Sequence, residues 1–258
     1  MAKIITVANQ KGGVGKTTTS VNIAAGLGVS EVKTLIIDLD PQSNATQGLG
    51  LDPNEIENST YEMVIEKEKV NSCITATEIP FLDIVAANPR LVGAEIELVS
   101  VIGRESILKK ALDPVLDQYE YIIIDCPPSL GLLTLNALAA SNSVLIPIQC
   151  EYYAMEGLGQ LLNTIRLVQK SLNKKLQIEG VLLTMFDARL RLSQEVADQI
   201  KDHFKEKLYK SIIRRNVRLG ESPSFGKPII LYDASSAGSQ DYMSLVGEIL
   251  ENDGKKIG

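Results

Sequence analysis

Short runs of β-branched and aliphatic residues alternate along the chain with longer stretches in which apolar positions recur every three or four residues. The short runs predict seven strands: Ile4–Ala8, Thr34–Leu39, Leu82–Ala86, Tyr121–Asp125, Ser143–Gln149, Gly180–Met185 and Ser211–Ile213. Several are apolar at every position, which marks strands covered on both faces. The longer stretches predict helices. Leu158, Leu161, Leu162, Ile165 and Val168 share one helical face, Val196, Ile200 and Phe204 another, and Ser239–Glu251 is a C-terminal helix. This alternation implies right-handed crossovers and an α/β fold, a three-layer, mostly parallel twisted sheet with helices on both faces. No repeat, low-complexity tract or Pro/Ser-rich linker divides the sequence, so residues 1–258 are expected to form a single domain. Ligands of such sheets bind beyond the carboxyl ends of the strands, and the informative residues lie there.

Composition narrows the chemistry. Hydrophobic content of 45% and charged content of 22% describe an ordinary globular protein. A single histidine, His203, among Lys201, Lys205 and Lys207, reads as a solvated helix residue. Histidine-rich metal sites and a Ser-His-Asp triad are thereby disfavoured. Cys73, Cys126 and Cys150 have no paired spacing and read as buried thiols in a reducing cytoplasm. No basic region followed by an apolar one opens the chain, so no signal peptide is expected. The uncharged run Cys126–Cys150 is long enough to span a bilayer, but Pro127, Pro128 and Pro147 break it. It reads as strand end, loop, short helix and buried strand.

The clearest motif follows the first strand. In Asn9-Gln10-Lys11-Gly12-Gly13-Val14-Gly15-Lys16-Thr17-Thr18, three glycines within four positions let backbone N–H groups turn inward around phosphate oxygens. A helix starting near Thr17 adds its positive dipole end. Lys16 is placed to reach the β/γ-phosphates and the Thr17 hydroxyl to hold Mg²⁺. Counting back from Lys16, Gln10 occupies the first glycine position of the ordinary G-x-x-x-x-G-K-[ST] loop, and a second lysine, Lys11, opens the loop instead. Four apolar residues closed by Asp125 form a Walker B strand that sets this carboxylate in the outer shell of the Mg²⁺. Asp40 lies in a short loop after the second strand. There it could orient an attacking water, with the outer metal shell as its other position. Asp38 reads as strand-end structure or outer metal shell.

K-G-G-V-G-K-T resembles the deviant Walker A family of ATPases, which includes ParA/Soj, MinD and the nitrogenase iron protein. The resemblance covers almost the whole chain. Asp38–Thr46, Tyr121–Ala140, Ile146–Gly157 and Arg215–Tyr232 are similar to the chromosomal ParA/Soj branch. It implies a P-loop NTPase-like fold with ATP and Mg²⁺ as cofactors. Gly12, Gly13, Val14, Gly15, Lys16, Thr17 and Thr18 would bind nucleotide, Asn216 would contact adenine, and Asp40 would position the water. Lys11 would cross to the nucleotide of a partner subunit in an ATP sandwich homodimer. Weak basal hydrolysis, non-specific double-stranded DNA binding, release by a ParB-like centromere-binding protein, and a cytoplasmic, nucleoid-associated location are further implications. Ser43 stands where relatives commonly have Gly, and Arg214 where they commonly have Pro beside the adenine.

Charge first argues against DNA, since the net charge is −6. It is unevenly distributed. Arg189 to Lys227 holds ten basic and five acidic residues, so this stretch is +5 and the remainder −11. A basic face on an acidic body is the footprint of backbone binding, and a dimer doubles its phosphate contacts. By resemblance, Arg189 and Arg218 are the leading phosphate contacts, with Arg215 and Arg214 behind them. Three other readings compete. A MinD-like membrane ATPase needs a basic amphipathic C-terminal helix, which the tail Glu248–Gly258 lacks, so no stable membrane association is expected. An electron carrier needs two well-placed cluster cysteines per chain, and neither Cys126 nor Cys150 is so placed. A metabolic kinase needs an acceptor-substrate motif, and none is visible.

Overall fold

All seven apolar runs become strands of one sheet. The computed structural model describes residues 1–151 and 154–255, with the backbone alone over 154–157. The strands are β1 (Lys3–Val7), β2 (Thr34–Asp38), β3 (Ile74–Ala76), β4 (Leu82–Val85), β5 (Tyr121–Asp125), β6 (Ser143–Gln149), β7 (Gln177–Phe186) and β8 (Leu208–Arg214). Their spatial order is β3-β4-β2-β5-β1-β6-β7-β8, and every neighbouring pair is parallel except β3 with β4. β3 was not expected. It is a three-residue edge strand, Ile-Thr-Ala, too short to carry a pattern of its own, and it forms only because Ile74 to Ala76 pair with Val85 to Asp83.

The helices are α1 (Lys16–Val29), α2 (Asn44–Gly48), α3 (Val70–Cys73), α4 (Leu91–Glu97), α5 (Ile107–Leu112), α6 (Leu132–Ala140), α7 (Ala154–Ser171), α8 (Arg191–Phe204), α9 (Val217–Glu221), α10 (Ile229–Tyr232) and α11 (Ala237–Asn252). Alternate strand residues separate into two cores. Ile4, Leu35, Ile37, Ile122, Ile124 and Ile146 face one layer with residues of α4 to α8. Ile5, Val7, Ile36, Ile123 and Leu145 face the other with residues of α1, α9, α10 and α11. Full burial of each such aliphatic side chain stabilises the fold by about 1.5–3 kcal/mol. α1 and α11 cross closely because Gly26 has no side chain. A Cβ there would lie 2.7 Å from Val246 Cγ2.

β8 ends the sheet, and its pairing with β7 slips register twice. At this irregular edge Glu248 of α11 accepts hydrogen bonds from the backbone N–H groups of Lys210 (2.8 Å) and Ser211 (2.9 Å). The carboxylate thereby satisfies donors that would otherwise form an open edge. Among the described residues, no helix is long and apolar enough to cross a membrane. His203 is exposed on α8, as expected, and all three cysteines are buried and unpaired.

Candidate nucleotide-binding site

Register brings the acidic strand ends to the phosphate loop. Val7 at the end of β1 pairs with Asp125, and Asp38 at the end of β2 pairs with the same residue. The Gly-rich loop therefore begins beside buried Asp125, with buried Asp38 one strand further along the sheet. It is anchored on both sides: Asn9 Nδ2 donates to the Pro147 carbonyl (2.7 Å) and Thr184 Oγ1 to the Val14 carbonyl (2.8 Å). Gly13 (φ 73°) and Gly15 (φ 86°) take left-handed conformations that favour glycine. A Cβ at Gly12 or Gly13 would meet nothing within 4 Å, so the cradle is open on that side. α1 starts at Lys16, one residue before the expected position.

Lys16 is buried, and burial lowers its pKa from the ordinary lysine value, against the opposing influence of Asp125. Its Nζ donates to the Lys11 carbonyl (3.0 Å), inside the curve of the loop. Asp125 is wholly buried. Its Oδ1 accepts from Ser20 Oγ (2.8 Å), whereas Oδ2 is buried without a partner among the described residues. Loss of solvent is the main influence raising its pKa, followed by the charge of Asp38. A buried carboxylate oxygen without a partner, with the Thr17 hydroxyl beside it, suits a water molecule on a bound Mg²⁺. The donor set therefore fits magnesium in an outer-shell arrangement.

Asp38 organises the neighbouring loop. Its Oδ2 accepts from the Thr46 N–H (2.8 Å) and Thr46 Oγ1 (2.7 Å), and its Oδ1 from the Asp40 N–H (3.1 Å). Desolvation is the main cause raising its pKa, and the Thr46 hydrogen bonds oppose it. Asp40 is nearly buried and accepts from the Gln42 N–H (2.9 Å) through Oδ1. Ser43, which follows, sits at φ 55°, and its buried Oγ has no partner among the described residues. A glycine at this position would avoid both penalties.

Next to the phosphate loop lies a cavity of about 230 Å³. Gly15 and Thr18 of the phosphate loop and α1 line it, together with Met185, Leu219 and, at the end of β8 and just after it, Arg214, Arg215 and Asn216. A small, largely apolar pocket with a few fixed polar groups suits a heterocyclic base. Asn216 Oδ1 is already engaged, capping α9 through the N–H groups of Arg218 (2.8 Å) and Leu219 (3.4 Å). Its Nδ2 is the part that can address a base.

The AAA domain family matches residues 2–178. The sporulation initiation inhibitor protein Soj of Bacillus subtilis is 57% identical over 252 residues, covering 98% of this chain and 100% of that protein. The chromosome partitioning protein ParA of Myxococcus xanthus is 52% identical over 256 residues, covering 99% and 90% respectively. The chain belongs to the ParA/Soj family of chromosome-partitioning ATPases. A solved relative of this ParA/Soj-family chain is cobyrinic acid a,c-diamide synthase of Mycobacterium smegmatis with bound ADP and magnesium. It is 35% identical with a TM-score of 0.86, and the match covers 100% of this chain and 98% of that one.

The arginines of this ParA/Soj chain are less free than their count implies. Arg189 grips Asp187 through Nε (2.9 Å) and Nη2 (2.7 Å), and this pushes the Asp187 carboxyl down to about 2. Arg218 pairs with Glu221 (3.0 Å) and lies 3.6 Å from Asp233. Arg214 pairs with Asp241 (2.6 Å). Asp187, Asp233 and Asp241 all lie outside the 189–227 window, so they offset three of its five excess positive charges. Arg215 makes no ion pair among the described residues, although its charge reaches Asp187. Asp233 and Asp241 carry no sequence signal, because each meets its arginine only through folding, whereas Asp187 stands two residues before Arg189, just outside the counted window. Residues 152–157 of the Ile146–Gly157 similarity and residues 256–258 of the tail lie outside the described side chains.

Proposed function

We propose that this ParA/Soj-family chain is a DNA-partitioning ATPase, with residues 1–258 acting as one domain. ATP and Mg²⁺ bind at the phosphate loop, two chains close around the nucleotides, and the homodimer holds double-stranded DNA without sequence preference. A ParB-like partner then stimulates hydrolysis, and the dimer releases the DNA during chromosome or plasmid segregation. The observation that carries this reading is the pair of lysines in one loop. Lys16 is buried within the cradle, while Lys11 stands partly exposed at its open rim, where a second chain can approach.

In this reading Lys16 and the loop N–H groups hold the phosphates, and Thr17 and Asp125 hold the metal with its water. Bound Mg²⁺ supplies charge neutralisation on the β/γ-phosphates. Asp40, fixed by the Asp38 clamp, accepts a hydrogen bond from the attacking water and takes its proton late in the reaction. Arg189, Arg215 and Arg218 provide the DNA face, with Arg215 contributing the least compensated charge. Co-sedimentation with DNA in ATP, in ADP and without nucleotide tests the whole proposal. Binding confined to ATP is expected, whereas binding to liposomes in place of DNA would overturn it.

A further inference from the structure

The sequence reading puts Arg214 both among the DNA-binding arginines and, by resemblance, beside the adenine, and its surroundings are those of the base cavity. Asp241 of α11 holds it at four points. The Asp241 carboxylate accepts from the Arg214 backbone N–H (3.0 Å), from Nε (3.0 and 3.1 Å) and from Nη2 (2.6 Å). A guanidinium gripped in this way loses its rotational freedom and becomes a fixed plate. The next residue on α11, Tyr242, also borders the cavity, and its hydroxyl lies 3.1 Å from Thr19 Oγ1 of α1. One turn of α11 therefore ties the Arg214 plate to the phosphate-loop helix.

Two features separate this arginine from a phosphate contact. Its charge is neutralised by a carboxylate whose side chain is only 10% exposed, so little field remains to attract a polyanion. Its side chain is half exposed on a residue that lines the cavity, and Nη1 makes no hydrogen bond among the described residues. A donor remains available, on a plate that cannot swing away.

We propose that Arg214, positioned by Asp241, is a base-recognition residue that forms one wall of the cavity and donates to the acceptor edge of a purine. This rests on the proposal that the cavity receives the nucleotide base. Guanidinium nitrogens are donors only. Guanine presents two adjacent acceptors, O6 and N7, where adenine presents one acceptor beside an amino donor. Arg214 therefore helps guanine more than adenine and narrows the preference for ATP over GTP.

The test is titration of the whole protein with a fluorescent ATP analogue, competed by ATP and by GTP. Arg214→Ala is expected to weaken ATP by about fivefold and GTP by about twenty-fivefold, as befits loss of a charged donor. Arg214→Lys should resemble Arg214→Ala in the ATP-to-GTP ratio, because the planar fork is absent. Asp241→Asn, which keeps the guanidinium but loosens it, should fall between. The double variant Arg214→Ala with Asp241→Ala removes the stranded carboxylate and guards against misfolding, with a thermal melt to confirm the fold. An unchanged ATP-to-GTP ratio in all folded variants would overturn the role of Arg214 even if the wild-type protein binds the analogue. Loss of DNA affinity at saturating ATP, with nucleotide constants unchanged, would return Arg214 to the DNA face. Failure of the wild-type protein to bind the analogue would overturn the base site together with this role.

Discussion

Lys11 Nζ lies 2.9 Å from Glu151 Oε2 of the same chain, so the lysine at the loop rim is engaged in cis. Gln149 Nε2 donates to the other oxygen of that carboxylate and steadies it. For Lys11 to reach another chain, this pair must open. Both side chains are substantially exposed, so the pair stabilises the monomer by only about 0.2–1 kcal/mol. Glu151→Gln is expected to strengthen ATP-dependent dimerisation by up to about fivefold in sedimentation equilibrium. A weaker dimer would place Glu151 across the interface instead.

Asp40→Ala should retain ATP binding and dimerisation while slowing turnover by about 10²-fold or more. The carboxylate makes one loop contact, to the Gln42 N–H, so the fold should survive its loss. Single-turnover hydrolysis with pre-bound ATP measures this directly. Normal turnover would remove Asp40 from the chemistry.

Ser43→Gly is expected to stabilise the protein. A left-handed non-glycine residue and an unpaired buried hydroxyl are both unfavourable, and glycine removes them at some entropic cost to the folded state. A net gain of about 0.5–1 kcal/mol corresponds to about 1–4 °C in Tm. Ser43→Ala keeps the backbone strain and should gain less, so equal melting temperatures for the two variants would contradict the backbone argument.

Stability should fall as pH rises. Burial raises both Asp38 and Asp125 above the ordinary carboxylate range, so the folded chain retains protons that the unfolded chain releases. Rising pH then favours unfolding, from about pH 4 upward until both groups are ionised in the folded chain. Asp125→Asn should flatten the decline in nucleotide-free thermal melts across this range. Mg²⁺ with ATP should do the same for the unmodified chain, because a bound cation stabilises the ionised carboxylate. A slope identical in all three would assign the pH dependence to other groups.

Arg189→Ala combined with Arg218→Ala should weaken DNA binding more than the loss of two cations alone implies. Asp187, Glu221 and Asp233 would be left uncompensated on the same face. The dependence of log affinity on log salt should decrease by about four for the homodimer, roughly one per lost phosphate contact and two from each chain, with basal hydrolysis unchanged. An unaltered slope would move the DNA face elsewhere.

The order of elements and the phosphate loop were legible along the chain because both depend on neighbouring residues. Continuous apolar runs such as Tyr121–Ile124 determine which segments become covered strands. Gly13, Gly15 and Lys16 determine the loop through local backbone freedom and one adjacent charge. Pairings that join distant positions had no such signature. β3 exists only against β4, Lys11 meets Glu151 across 140 positions, and Arg214 meets Asp241 across 27. Counting charge along the sequence identified a basic stretch, but only tertiary structure decided which of its arginines remain free. Ion pairing acts over a few ångströms of space, whatever the separation along the chain.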